Sequence, residues 1–231
     1  MSSIKDNLLR ILDLINLVKI KNNINYDVNL MAVSKTFSSS DVAEAMEAGQ
    51  TLFGENRVLE AYDKFNLPII KEKKHSLHII GHLQRNKVKE AIEIAEMIQS
   101  IDKIDTLDVI EKKCSEKNKK MDFLIEVNTS FEMQKYGVLV EDFDKLLEQI
   151  TKKDYKFCNL RGIMTVGPLT DDKVIIKKSF KLLNDIFIKI RQQIKKTDFD
   201  IISMGMSSDF EIAISEGSNL VRIGSAIFGK R

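Results

Sequence analysis

The sequence has no tryptophan, only two cysteines and only two prolines, and its 36 Lys and Arg are offset by 34 Asp and Glu to a net charge of +2. Each shortage excludes something. Cys114 and Cys158 lie far apart and form no CxxC pair, so neither a disulfide framework nor a zinc site is indicated. The near balance of charge leaves no electrostatic footprint for nucleic acid. The basic runs at 71–74 and 112–120 have acids mixed into them and read as solvated helix faces or loops. No stretch approaches the ~20 apolar residues of a membrane span, and the first ten residues carry no apolar signal-peptide core. The expected setting is therefore the cytoplasm, with no membrane partner. No Gly/Ser/Pro-rich linker divides the chain, so residues 1–231 are read as one domain. What is present is ordinary for a globular chain: 43% hydrophobic and 30% charged residues, enough for a sizeable core.

Hydrophobic spacing predicts one leading helix over 4–20, with Ile4, Leu8, Ile11, Leu12, Ile15 and Val18 on one face. Strands are then predicted at 28–33, 51–53, 76–80, 97–101, 123–127, 159–166, 200–203 and 220–223. A helical segment follows each of the first seven. Asp41 with Glu44 is expected to cap the second helix, which stops at Gly49. Pro68 is expected in a loop. The clearest helix carries Ile176, Phe180, Leu183, Phe187, Ile190 and Ile194 in one apolar stripe. Ser208 and Glu211 form a Ser-x-x-Glu capping box for a short helix ending at Gly217. Regular βα alternation requires a parallel sheet with right-handed crossovers. Eight units predict an α/β fold closed as a single (β/α)8 TIM barrel with an extra N-terminal helix. A doubly wound open sheet is the alternative.

In such a barrel, function sits at the C-terminal ends of the strands. Lys35 is the one amine in that ring that ends a strand, after the apolar run Leu30-Met31-Ala32-Val33. A partly desolvated lysine loses its proton more readily, and the free amine condenses with carbonyls; the plain alternative is a lysine leaving the core with its ammonium in water. Ser207, the capped turn at Ser208 and Gly224-Ser225 follow the seventh and eighth strands, where phosphate sites of these barrels form. Lysine opposite a phosphate site, without metal ligands, points to pyridoxal 5′-phosphate held as a Schiff base. An aldolase-type lysine acting on a sugar phosphate competes with it. His75, His78 and His82 cluster in sequence, but His75 and His78 face opposite sides of a strand, so they are read as exposed histidines and not as a metal site.

Five motifs recur in one order: Ala32-Val33-Ser34-Lys35-Thr36, Phe53-Gly54-Glu55-Asn56-Arg57-Val58, Ile80-Gly81-His82-Leu83-Gln84-x-Asn86-Lys87, Ser203-Met204-Gly205-Met206-Ser207, and Val221-Arg222-Ile223-Gly224-Ser225-x-Ile227-Phe228-Gly229-x-Arg231. Together, over residues 28–231, they resemble the pyridoxal phosphate homeostasis protein family. The resemblance implies a barrel like the N-terminal domain of alanine racemase. It implies a Schiff base on Lys35, a phosphate held by Ser207, Gly224 and Ser225 beside Met206, and Arg222 by the pyridine nitrogen. Asn56 is placed near the cofactor by position, and Lys135 matches a family lysine near the site. One departure is the missing tryptophan before His78, where Leu77 stands.

Alanine racemase uses two bases, one of them a tyrosine from a second domain, and the chain stops at Arg231 after the eighth strand. The expected function is therefore a binding protein without efficient catalysis. It would store, buffer or deliver pyridoxal phosphate, with apo-enzymes as partners, and act as a monomer. The alternative is a racemase-like enzyme using Tyr136 or Lys135 as second base.

Overall fold

The computed structural model describes residues 3–194 and 196–229. Arg231, which closes the last motif, lies outside the described residues. The chain opens with α1 (Ile4–Lys21), capped by Ser3, whose hydroxyl and the Asp6 carboxylate satisfy each other's backbone N–H groups. Its spacing buries Ile4, Leu8, Ile11, Ile15 and Val18, which lay the helix against the last helices of the chain.

Then strands and helices alternate: β1 (Asn29–Val33), α2 (Ser39–Glu47), β2 (Leu52–Glu55), α3 (Val58–Phe65), α4 (Pro68–Lys71), β3 (Ser76–Ile79), α5 (Val88–Ile94), β4 (Met97–Ile101), α6 (Ile104–Lys117), β5 (Met121–Asn128), α7 (Phe143–Lys152), β6 (Cys158–Met164), α8 (Lys173–Ile194), β7 (Ile201–Ser203), α9 (Phe210–Ser215), β8 (Leu220–Ile223) and α10 (Ser225–Phe228). Each strand pairs in parallel with the next, from β1–β2 (Ala32 opposite Phe53) to β7–β8 (Ser203 opposite Leu220). The ring closes where β8 returns to β1, Met31 opposite Arg222. This is the expected TIM barrel; the open sheet is excluded by that last pairing. A two-residue strand at Val138–Leu139, not anticipated from the sequence, adds to the end of β5.

The core has two layers. Met97, Leu124 and Met164, with Val166 and Ile201 against them, fill the inside of the barrel. A larger cluster fills the space between strands and helices, where the α8 stripe (Ile176, Phe180, Leu183, Phe187, Ile190) is buried. At ~25 cal/mol per Å² of apolar surface, this outer layer is where most of the driving force arises.

Several local expectations change. Ser38, not Asp41, caps α2; Asp41 is the third residue of the box and accepts from the Ser38 backbone. Pro68 opens α4 instead of standing in a loop, because proline suits a helix's first position. Asp209 precedes α9, and the Ser208–Glu211 box does not form; the Asp209 carboxylate accepts from Met206 N–H at 2.6 Å. The short helix α10 directly after Gly224 was not foreseen.

Candidate functional site

At the C-terminal ends of the strands the barrel holds a cavity of about 600 Å³. Lys35 and Val33 line it from β1, Asn56 and Ile80 from the turns after β2 and β3, Val166 from after β6, Met206, Ser207 and Ser208 from after β7, and Arg222, Gly224 and Ser225 from β8 and its turn. The seven residues expected at the site, from Lys35 to Ser225, thus come from four separate regions of the sequence and line one cavity. A larger cavity of about 710 Å³ lies between α8 and the N-terminal ends of β7 and β8, at the opposite end of the strands from Lys35.

Two glycines shape this wall by close approach. A side chain at Gly81 would put its Cβ 2.4 Å from the Asn56 carbonyl oxygen, so the turn after β3 presses directly on the Asn56 backbone. Gly205 has a φ of 95° and would put a Cβ 2.5 Å from that of Ala213; it lets the β7 turn fold back, where its carbonyl accepts from Arg222 N–H at 3.0 Å.

Arg222 is buried, and both of its terminal nitrogens donate hydrogen bonds. One terminal nitrogen donates to Ser203 Oγ at 2.7 Å and the other to the Thr165 carbonyl at 2.7 Å. Ser203 Oγ then donates to Gln99 Oε1 at 2.8 Å, and Gln99 Nε2 lies 2.9 Å from His78 Nδ1. The donors run in one direction from the guanidinium, so Nδ1 of His78 accepts and its proton is on Nε2. His78 is thus a buried member of this chain and not the exposed histidine expected. Burial lowers its pKa to about 4. Burial also lowers that of Arg222, to about 10, against the raising effect of Glu126 and Asp209. Glu126 is pushed up to about 7 by burial and by Asp102, with Arg222 holding it down.

Other candidates are placed differently. Lys135 pairs with Glu132 at 2.7 Å and donates to the Gly167 carbonyl at 2.7 Å, tying two rim loops together outside the cavity lining. Tyr136 stacks on His82, ring centroids 4.2 Å apart, over a neighbouring cavity of about 410 Å³ that shares Asn56. Cys114 and Cys158 are free thiols, both buried and in hydrogen-bond contact with each other. Among the described residues no group of three or more potential ligands is placed to hold a metal ion, and no helix is long and apolar enough to cross a membrane.

Sequence reasoning missed Glu126, Gln99 and His78 as neighbours of Arg222. Period-two alternation along β3, β4 and β5 turns His78, Gln99 and Glu126 inward, and polar residues at such positions were the available signal.

The family model for "Alanine racemase, N-terminal domain" matches residues 15–231. The pyridoxal phosphate homeostasis protein of Pasteurella multocida is 35% identical over 226 residues, 94% of this chain and 96% of that protein. A solved structure of an unknown protein from Bifidobacterium adolescentis superposes with a TM-score of 0.90 at 30% identity, over 97% of this chain and 94% of that one. PipY of Synechococcus elongatus, solved with PLP bound, superposes with a TM-score of 0.83 at 26% identity, over 98% of this chain and 100% of that one.

Proposed function

The chain belongs to the alanine racemase N-terminal domain family, and from that premise we propose that it binds pyridoxal 5′-phosphate and serves cellular pyridoxal phosphate homeostasis, holding the cofactor through Lys35 without efficient turnover. The observation that carries the proposal is the single cavity joining Lys35 to Ser207, Gly224, Ser225 and Arg222. Its size suits a small phosphorylated ring, and its residues fit the group's chemistry: one amine, two hydroxyls beside a close-approach glycine, and a buried cation. The PLP bound in PipY and the name of the Pasteurella relative point the same way.

When bound, pyridoxal phosphate supplies an aldehyde that takes up amines and a pyridine ring that can accept electrons. In this reading Lys35 presents its amine from the end of β1. Ser207 and Ser225 would donate their hydroxyls to the phosphate, and Gly224 would let the backbone approach it. Met206 and Asn56 would lie beside the ring. Arg222 would serve the ring nitrogen; even with its pKa lowered to about 10 it stays charged at neutral pH. A fixed cation discourages a proton on that nitrogen and so weakens the ring as an electron sink. This favours holding over catalysis.

A racemase-like enzyme is the alternative, and it needs a second base at the ring. Lys135 is engaged by Glu132 and the Gly167 carbonyl, and Tyr136 stacks on His82; neither lines the cavity. The finer parts of the proposal are a single-domain monomer in the cytoplasm that hands the cofactor to apo-enzymes.

The test is spectroscopic. Purified protein given pyridoxal phosphate should turn yellow, and borohydride should fix the cofactor on Lys35, with no fixation in Lys35→Ala. A colourless protein under the same conditions would sink the proposal. Sustained exchange of amino-acid α-protons in heavy water, lost in Lys35→Ala, would favour the enzyme instead. Transfer to an apo-enzyme, measured as recovered activity, tests delivery.

A further inference from the structure

Lys35 stands between two backbone groups gripped by one ionic cluster, buried at Glu55 and Lys64 and partly exposed at Glu60. Before it, the Ser34 carbonyl accepts from Lys64 Nζ at 2.8 Å, and Ser34 Oγ donates to Glu55 Oε1 at 2.8 Å. After it, Thr36 N–H donates to Glu60 Oε1 at 2.5 Å. Lys64 joins the two halves, reaching Glu55 Oε1 at 2.7 Å and Glu60 Oε1 at 3.2 Å. Glu55 is wholly buried and Lys64 is 7% exposed. Thr36 has a φ of 68°, a left-handed conformation that a β-branched residue rarely adopts. Such a conformation persists only where its surroundings over-determine it.

Stability alone is a poor reason for this arrangement. Buried ion pairs contribute little net stability compared with well-packed apolar residues of the same volume. What the cluster does specify is geometry: α3 supplies Glu60 and Lys64 one turn apart, β2 supplies Glu55, and all three converge on the turn carrying Lys35.

We propose that Glu55, Lys64 and Glu60 form a positioning device for Lys35, holding the peptide on either side so that its amine meets the aldehyde of pyridoxal phosphate. The inference rests on the function proposed above. Attachment joins Lys35 Nζ to the aldehyde carbon as a C=N bond; the carbonyl oxygen leaves as water with both amine protons, and no oxidation state changes. The cluster touches neither reacting atom and acts through the backbone.

The experiment separates attachment from binding. Wild type, Lys64→Met and Glu60→Gln are each given pyridoxal 5′-phosphate, and the rate of covalent attachment is read from visible absorbance and from borohydride-fixed mass on Lys35. Each is also titrated with 4′-deoxypyridoxine 5′-phosphate, which has a methyl group in place of the aldehyde and cannot attach. The expected result is attachment slowed about tenfold or more in both variants, with affinity for the deoxy analogue within about twofold of wild type. Attachment at the wild-type rate in the variants overturns the inference and leaves the cofactor reading standing. Parallel loss of attachment and analogue binding also overturns it, because that is general damage. A wild type that attaches no cofactor overturns both. Glu60→Gln keeps an acceptor for Thr36 and sits at a partly exposed position, so it decides the matter if Lys64→Met does not fold.

Discussion

Arg222 places a charge in the interior of a barrel, and four uncharged groups make that tolerable. Ser203 Oγ and the Thr165 carbonyl accept hydrogen bonds from it, and Gln99 and His78 extend the chain to a neutral imidazole. Removing the guanidinium leaves the buried Ser203 Oγ and Thr165 carbonyl each short of a donor. Arg222→Met should therefore lower unfolding free energy by about 1–3 kcal/mol, measured by urea titration. It should also raise the Glu126 pKa further, because Arg222 is the group holding it down; infrared titration of the carboxyl band reads this directly, and an unchanged or lower value would refute the coupling. Gly81 acts by what it lacks. Gly81→Ala should displace the Asn56 backbone and cost about 1–3 kcal/mol of stability, with weaker cofactor binding as a second readout; a variant as stable as wild type would show that the turn yields freely.

The helices show how local signals and packing divide the work. The α8 stripe was legible because its period repeats over more than five turns, and one face is buried as expected. The start of α2 differs by three residues because Ser38 and Asp41 both have side chains fit for a cap, each with an acid three residues on; only the backbone geometry at Ser38 decides between them. Ser38→Ala should cost about 1 kcal/mol, seen as a lower urea midpoint with an unchanged slope. The box expected at Ser208 failed for a tertiary reason: the Asp209 carboxylate, buried, is taken by Met206 N–H, so the turn closes one residue later. The leading helix α1 seals the outer layer through Ile11, 2% exposed. Ile11→Ala should cost about 2–5 kcal/mol, far more than the same change at Ile20, which is 74% exposed.

For the whole molecule, two buried groups set opposing pH trends. His78 has its pKa lowered to about 4 from 6.5, so its contribution to stability is complete above 6.5 and is lost as pH falls toward 4. Glu126 has its pKa raised to about 7 from 4.5, so its contribution is present below 4.5 and is lost as pH rises through 7. Each spans roughly 3 kcal/mol, and over pH 4.5–6.5 they offset one another. Wild-type melting temperature should consequently vary little from these two groups in that window. Glu126→Gln should leave a protein that loses stability on acidification, and His78→Gln one that gains it. Parallel slopes for the two variants in thermal melts would refute the assignment.

The sequence by itself determined the order of the eight barrel strands and the helices between them, the lysine at the end of the first strand and the motifs of the family, because these depend on periodicity and on neighbours along the chain. Tertiary structure alone decided the rest. Closure of β8 onto β1 brought Lys35 and Arg222 to one cavity. Convergence of three elements gave Lys64 its buried partners, although a lysine in a charged helix reads as solvated. His78 and Glu126 owe their shifted pKa values to burial inside the ring. Burial and long-range pairing depend on groups distant in sequence, and no local pattern encodes which of those groups will meet.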